Sequence, residues 1–346
     1  MPRPPTRTID VSLDRAGIRL DRFLAESVNE RSRSFWQRAI LDGQVRVNGR
    51  TALPKMVVKF GDQIEFVDLD DPEELELSPG SGEMLDPKLI LFVDEQLLVV
   101  NKPAGLVVHP ARGHWNDTLV QQLLPWLDNP RHADPGGLRP GIVHRLDKDT
   151  TGCLLVARSP EIRERMSRAI ERREVDRWYL GIAEGNMRPA GGTVEAPIGR
   201  DPRHRLRMAV TLRGRPARTH YATVAAWQRY SLLLMKLDTG RTHQIRVHLA
   251  SIGHPLLGDL LYGGHDLGSA KTQVLHAWQL RFFHPIRATE MVVRAPLPDD
   301  WRNLWTVLGP PESVLEPMET ETGPWPPGIG KTLRASLPEE WTNGSV

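Results

Sequence analysis

Cysteine is almost absent. A single thiol, Cys153, stands in 346 residues, which excludes a disulfide framework and any multi-cysteine zinc or iron–sulfur centre. Long apolar runs are missing too. The strongest, Leu89 to Val100, is broken by Asp94, Glu95 and Gln96, and a membrane helix needs ~18–20 apolar residues. The opening MPRPPTRTID holds no apolar stretch suited to a secretory leader. No GxSxG nucleophile elbow and no HExxH metal pair occur. GIGKT near the end fails as a phosphate loop, because the glycine required five residues before Gly330 is Trp325. These absences set the expectation of a soluble cytoplasmic protein with no metal and no cofactor.

What is present is enough for a folded core. Hydrophobic residues make up 40% and charged residues 25%, and at about 100–200 residues per domain the length suggests two domains with tails. The net charge of +2 conceals a pattern. Residues 1–66 hold 12 basic and 8 acidic residues, a net +4. Residues 67–90 hold 1 and 8, a net −7. Residues 91–309 hold 30 and 21, a net +9, and residues 310–346 hold 2 and 6, a net −4. Two basic bodies are split by an acidic connector and followed by an acidic tail. Asymmetry of this kind points to a polyanion as partner, with ordinary surface variation as the plain alternative.

Periodicity divides the chain accordingly. A first domain over 11–68 carries one helix with Leu20, Phe23, Leu24 and Val28 on one face. A second helix follows, with Ser34 as its cap, Phe35, Ile40 and Leu41 buried, and Gly43 as its stop. QVRVNGR and DQIEFVD read as strands, with a tight turn at Asn48-Gly49. An acidic linker spans 69–88. From 89 to 309 strands dominate: LILFVD, QLLVVNKP, CLLVARS, WYLGIAEG, THYATVAAW, SLLLMKLDTG, TQVLHAWQLRFF and MVVRAPL. Helices are expected after Ser159-Pro160, from about Thr242 to Gly253, and at DDWRNLWTVLG. Strands in runs with few crossover helices indicate an α+β domain built on a mixed, largely antiparallel sheet. Residues 310–346 form a Pro- and acid-rich tail.

Four clusters could carry chemistry. GIVHRLDKDTTG places Asp147 at a strand end on a polar loop, with Arg145 on the same face of an extended stretch. A plain β-turn with a surface ion pair fits the same text. TGRTHQIRVHLASIGHPLLGD puts Arg241 and Arg246 near a helix start, where each gains from an anion. His243, His248 and His254 read as capping and packing groups rather than metal ligands. Trp178 and Tyr179 are adjacent on a strand and face opposite ways, so one is core and the other could stack on a base. Arg203, Arg205 and Arg207 alternate, and an extended chain would present them as a stripe to a phosphate backbone.

Together these clusters closely resemble the RluA/RluD-type pseudouridine synthase family. The matching text, in the family's order, is NKPAGLVVHP, HRLDKDTTG, DRWYLGIAEG, APIGRDPRHRLRMAV, GRTHQIRVHLASIGHPLLGD and QVLHAWQLRFFHP. RLDRFLAE, the Ser-Arg-Ser around Arg33, and VRVNGR resemble an S4 RNA-binding domain. The resemblance implies an enzyme that isomerises uridine to pseudouridine in RNA, with large-subunit ribosomal RNA or its precursor particle as partner. It implies a monomer that needs no cofactor. It also implies Asp147 as the catalytic aspartate, Tyr179 packing on the target base and Arg246 pairing with Asp147. Arg145 then wedges where the base leaves the stack. Arg33, Arg38, Arg203, Arg205, Arg207 and Arg241 would bind RNA. Whether Arg246 or Arg241 pairs with Asp147 stays open in the sequence. Arg177 stands where the family more often has Lys, and GDLLYGG replaces a more common GDPxYGG. The alternatives are a non-catalytic RNA-binding assembly factor and a nucleosidase-like hydrolase that would release free uracil.

Overall fold

A computed structural model describes residues 6–28, 36, 37, 39, 40, 43–67, 84–109, 117–127, 140–204, 207–266, 268 and 272–309. Contacts within the chain divide it into two compact units, the first built on residues before 81 and the second carrying the larger sheet. Arg33, Arg38 and Arg205 lie outside the described residues, as do Ser34, Phe35, Leu41, most of the linker and the tail from 310.

The first unit is a four-stranded antiparallel sheet in the order β1-β4-β2-β3, formed by β1 (Thr6–Asp10), β2 (Val45–Val47), β3 (Arg50–Thr51) and β4 (Gln63–Val67). Alternation in β2 buries Val45 and Val47 and leaves Arg46 exposed. Helix α1 (Leu20–Ser27) packs Leu20, Phe23 and Leu24 onto that buried face, with Trp36, Ile64 and Phe66. Asn48 and Gly49 both adopt left-handed backbone (φ 52° and 74°), the requirement of a type I′ hairpin turn. Strand β1 precedes the boundary expected at residue 11. Its alternating Thr-Arg-Thr-Ile-Asp exposes nearly every side chain, so apolar periodicity gave no sign of it.

The second unit is a mixed nine-stranded sheet in the order β5-β6-β7-β14-β8-β13-β12-β9, with β15 also paired to β14. Its strands are β5 (Ile90–Val93), β6 (Leu97–Lys102), β7 (Thr151–Ala157), β8 (Asp176–Glu184), β9 (Gly191–Glu195), β12 (Arg218–Trp227), β13 (Tyr230–Leu237), β14 (Leu275–Phe283) and β15 (Glu290–Arg294). Among the described strand pairs of this sheet, β7 with β14 is parallel and the others are antiparallel. A separate hairpin joins β10 (Ile198–Arg200) to β11 (Met208–Val210). Both faces of the sheet are covered, so the central strands read as continuous apolar runs. One face carries Leu98, Val100, Leu154, Val156, Leu233 and Met235. The other splits into two patches. Leu97, Val99, Cys153 and Leu155 meet Ile162 and Met166 of α3 (Pro160–Glu171). Leu180, Ile182, Leu232 and Leu234 meet Trp301, Leu304 and Trp305 of α5 (Asp299–Leu308). Helix α2 (Leu119–Leu123) was not expected from the sequence and packs on the first face. Leu85, inside the expected linker, is buried in that same core, so the unit begins before residue 89.

The loop between Gly141 and β7 is held from three sides. The Leu155 amide donates to His144 Nε2 at 3.0 Å. Thr150 N–H closes a turn on the Asp147 carbonyl at 3.1 Å. Lys102, fully buried, donates to the carbonyls of Pro103, Leu106 and Lys148 at 2.7, 2.9 and 2.6 Å. Burial lowers its pKa to about 7, against the pull of the Asp149 and Asp147 charges. Three carbonyls match the three protons of an ammonium, so the side chain ties two loops together. At the loop's end Gly152 has φ 105°, and a Cβ there would overlap the backbone of Ala277.

Two outcomes follow from this anchoring. Gly152→Ala is expected to cost about 3 kcal/mol or more, from left-handed strain added to a backbone clash, read as a shift in urea midpoint. The second concerns acid. Burial lowers the pKa of His144 to about 3, helped by the Arg177 charge, and that of His276 to about 4. Both rings are neutral in the fold, and His144 must be neutral to accept the Leu155 proton. The unfolded chain takes up these protons near pH 6.5, so their contribution is whole above that pH and is lost as pH falls toward 4. Urea titrations from neutral to acid pH should show His276→Gln removing up to about 1.4 kcal/mol per pH unit of the wild-type slope.

Candidate active site

Beside this loop lies an open cleft lined by Arg145, Asp147, Arg177, Tyr179, Arg241 and Arg246. The end of β13, the loop after it and the start of α4 (Gln244–Ser251) form its other wall. The helix begins two residues later than expected. His243 takes a left-handed conformation (φ 57°), and the Gln244 side chain accepts from the Thr239 hydroxyl and the Arg241 amide at 2.7 and 3.0 Å. The left-handed turn at His243 and the Gln244 side-chain bonds together fix the passage from strand to helix.

Asp147 stands in this cleft with its side chain 16% exposed, and Arg246 Nη1 lies 3.4 Å from its Oδ2. Arg246 is itself held by Asp259, with Nε and Nη2 each donating at 2.8 Å in a two-pronged pair. Its short bonds go to Asp259 and its long one to Asp147. Arg246 therefore steers the Asp147 carboxylate without consuming its lone pairs. Burial opposes the Arg246 charge, but the bonds to Asp259 and the Asp147 charge hold its pKa above the ordinary value. The choice left open between two arginines is decided by position. Arg241 Nε donates to the Pro216 carbonyl at 3.1 Å, and Arg246 alone of the two reaches Asp147.

Tyr179 and Trp178 do face opposite ways. Trp178 packs under α5, while Tyr179 belongs to the cleft-side core and lines the cleft. Burial pushes the Tyr179 phenol up to about 12, so it stays protonated. Arg145 is exposed at the lip, with Nη1 3.4 Å from His109 Nε2. Arg241 and Arg145 both line the cleft. The expected stripe at 203–207 is different. Residues 201–204 and 207 lie between β10 and β11 and on neither strand, and Asp201 accepts from the Arg203 amide at 2.8 Å. Alternation has no meaning off a strand, so Arg203 and Arg207 do not share a strand face. Arg203 is exposed, and Arg207 lies over the Tyr262 ring at 5.3 Å.

Sequence reasoning passed over three members of the site. Asp259, read only as part of a turn, is 1% exposed and anchors Arg246. Tyr262 is flanked by Arg246 at 5.0 Å and Arg207, and its hydroxyl meets the Met208 amide and His243 Nδ1 at 2.9 and 2.8 Å. Lys102 is the third. For the first two a signal exists in the chain, since GDLLYGG sets an acid and an aromatic three apart after an arginine-bearing helix. His248 and His254 have packing roles, bonding Thr219 Oγ1 and the Ala196 carbonyl, and the Glu184 carbonyl. Among the described residues no group of three or more His, Cys, Asp or Glu is arranged to hold a metal. Cys153 is buried in the sheet and its thiol pKa is pushed up to about 12, which makes it inert.

Comparison with known proteins agrees with this architecture. Residues 96–251 match the RNA pseudouridylate synthase family and residues 18–64 match the S4 domain. The chain is 42% identical over 315 residues to ribosomal large subunit pseudouridine synthase D of Nitrosomonas europaea, covering 88% of each chain. It is 41% identical over 315 residues to the protein of that name in Escherichia coli K12, covering 87% of this chain and 94% of that one. Among solved structures, human RNA pseudouridylate synthase domain containing 4 is similar with a TM-score of 0.51 and 26% identity, over 65% of this chain and 94% of that one. With an S4 domain ahead of a mixed sheet whose cleft holds Asp147, the chain belongs to the RNA pseudouridine synthase family.

Proposed function

We propose that the protein converts specific uridines of large-subunit ribosomal RNA to pseudouridine, with Asp147 as the reacting carboxylate. One observation carries this reading: the cleft holds a single carboxylate, Asp147, among Arg145, Arg177, Arg241 and Arg246. A polyanion is drawn in by such a wall, and one acid is left to act on it. Relatives named for the large ribosomal subunit support that substrate. The reaction breaks the C1′–N1 glycosidic bond, forms C1′–C5, takes a proton from C5 and returns one to N1. Nothing is oxidised or hydrolysed.

Each residue has a role that its surroundings favour. The target base must leave the stack, at a cost of a few kcal/mol. Arg145, exposed at the lip, fills the gap it leaves. Tyr179, neutral and rigidly packed, stacks on the extruded ring, worth about 1–3 kcal/mol. Arg246 keeps Asp147 ionised and aimed. Arg203, Arg207 and Arg241, with Arg33, Arg38 and Arg205, hold the RNA backbone, and the S4 unit adds affinity. The protein works as a monomer in the cytoplasm. No helix among the described residues is long and apolar enough to cross a membrane. Asp147, Tyr179 and Arg246 on one cleft weigh against a non-catalytic assembly factor, which would need none of them.

Asp147→Asn keeps the shape of the side chain and removes its charge. It should fold as the wild type does and form no pseudouridine on a large-subunit transcript, mapped by carbodiimide modification and primer extension. Wild-type turnover in that variant would overturn the reading. Arg46 and Arg50 are exposed on the S4 unit. The double change Arg46→Gln, Arg50→Gln should flatten the salt dependence of RNA binding by about one to two in log–log slope, at roughly 0.7–0.9 for each phosphate no longer neutralised.

A further inference from the structure

Arg177 has no role in the proposed reaction, and its surroundings do not explain it. It sits on β8 two residues before Tyr179, on the same cleft-facing side of the strand, and is 4% exposed. Among the described residues its one hydrogen bond runs from Nη2 to the Leu237 carbonyl at 3.2 Å. Its Nε is buried with no partner among them, and no carboxylate of theirs pairs with it. The acids that act on it electrostatically are committed elsewhere. Asp176 binds Lys236 and Arg281 at 2.7 Å each, and Asp238 binds His220 at 3.1 Å with Arg173 and Arg218 at 3.5 Å. A buried guanidinium without a counter-ion is costly, and desolvation accordingly pulls its pKa down. Such a group persists where an anion arrives from outside.

A second observation points the same way. Gly240 lies on the cleft wall, and its backbone is not left-handed, so conformation does not require a glycine there. A Cβ at that position would meet one atom within 4 Å, Arg177 Nη1 at 2.9 Å. The missing side chain leaves Nη1 open toward the cleft. Arg241, the next residue, lines the same cleft, and the two positive charges act on each other.

We propose that Arg177 and Arg241, with Gly240 keeping the space between them and the cleft clear, form a binding site for a backbone phosphodiester flanking the flipped nucleotide. The proposal rests on the cleft being the uridine site. A phosphate there supplies the counter-ion that Arg177 lacks among the described residues. It also fixes the ribose of the target next to Asp147, because the phosphate and the sugar are covalently joined. An arginine suits the task, since its planar donors match phosphate oxygens and its charge survives burial better than that of a lysine.

The test measures binding to a large-subunit transcript on which the wild type forms pseudouridine, over a series of KCl concentrations. Arg177→Gln should lower the log–log salt slope by about 0.7–0.9 and weaken binding about five- to eightfold at about 0.1 M salt. It should also raise KM by more than it lowers kcat. Arg177→Lys should restore the slope. Gly240→Ala, which keeps every charge, should weaken binding while leaving the melting temperature unchanged. A folded Arg177→Gln protein with wild-type slope and KM would overturn the proposal and make the guanidinium a strut for the Leu237 carbonyl. Should that variant not fold, Gly240→Ala decides, and unchanged RNA affinity there overturns it. If the wild type modifies no large-subunit transcript, the functional reading fails. A wild-type slope in folded Arg177→Gln, on a transcript that the wild type does modify, overturns the phosphate site alone.

Discussion

The two-pronged pair between Arg246 and Asp259 is the interaction on which the rest of the site depends. Both side chains are buried, and both bonds are 2.8 Å long. Removing either partner would strand a charge away from water, at a cost of about 3–5 kcal/mol. The pair fixes three things at once. It locks the first turn of α4 to the turn at Asp259. It presents the remaining Arg246 nitrogen to Asp147. It lays the guanidinium over Tyr262, which in turn receives the β10–β11 hairpin through Met208 and Arg207. Arg246 thereby holds Asp259 tightly and Asp147 loosely, at 2.8 and 3.4 Å.

A second constraint is the rigidity behind the Asp147 loop. The sheet is buried on both faces, so its strands cannot shift without opening two cores. The loop is fastened to that sheet by His144, by Lys102 and by the close approach of Gly152 to β14. Function on a loop and stability in a sheet are thereby separated, which is the common division of labour in folded enzymes. The carboxylate reaches the cleft on a short span of chain with little freedom to lose.

Charge links the site to its substrate. In the cleft, Arg246 is answered by Asp259, and Asp147 is the one acid among lining residues that also include Arg145, Arg177 and Arg241. The cleft therefore carries an excess of positive charge in a partly desolvated place. Bound RNA would relieve it. The same sign appears on the S4 unit, where Arg46 and Arg50 are exposed beside a small apolar core. Affinity spread over two units of like charge suits a long polyanion better than a small metabolite.

Much of this was legible in the sequence because it is local. Alternation placed Tyr179 and Trp178 on opposite faces, and apolar runs marked the central strands. Ser159-Pro160 marked the start of α3, where Ser159 Oγ accepts the Ile162 amide, and Asn48-Gly49 marked a hairpin turn. The order of short motifs carried the family. Other features were hidden. Strand β1 and the β10–β11 hairpin lack an apolar alternation, and the arginines at 203 and 207 sit between strands rather than on one. Asp259, Tyr262 and Lys102 act through partners 13, 16 and 46 residues away, Arg246 for the first two and the Lys148 carbonyl for the third. The residue types and their local geometry were written in the chain. Which arginine meets Asp147, and which buried arginine has no acid beside it among the described residues, was decided only when the sheet brought distant segments together. Ion pairing depends on distances of a few ångströms between segments that sequence spacing does not constrain.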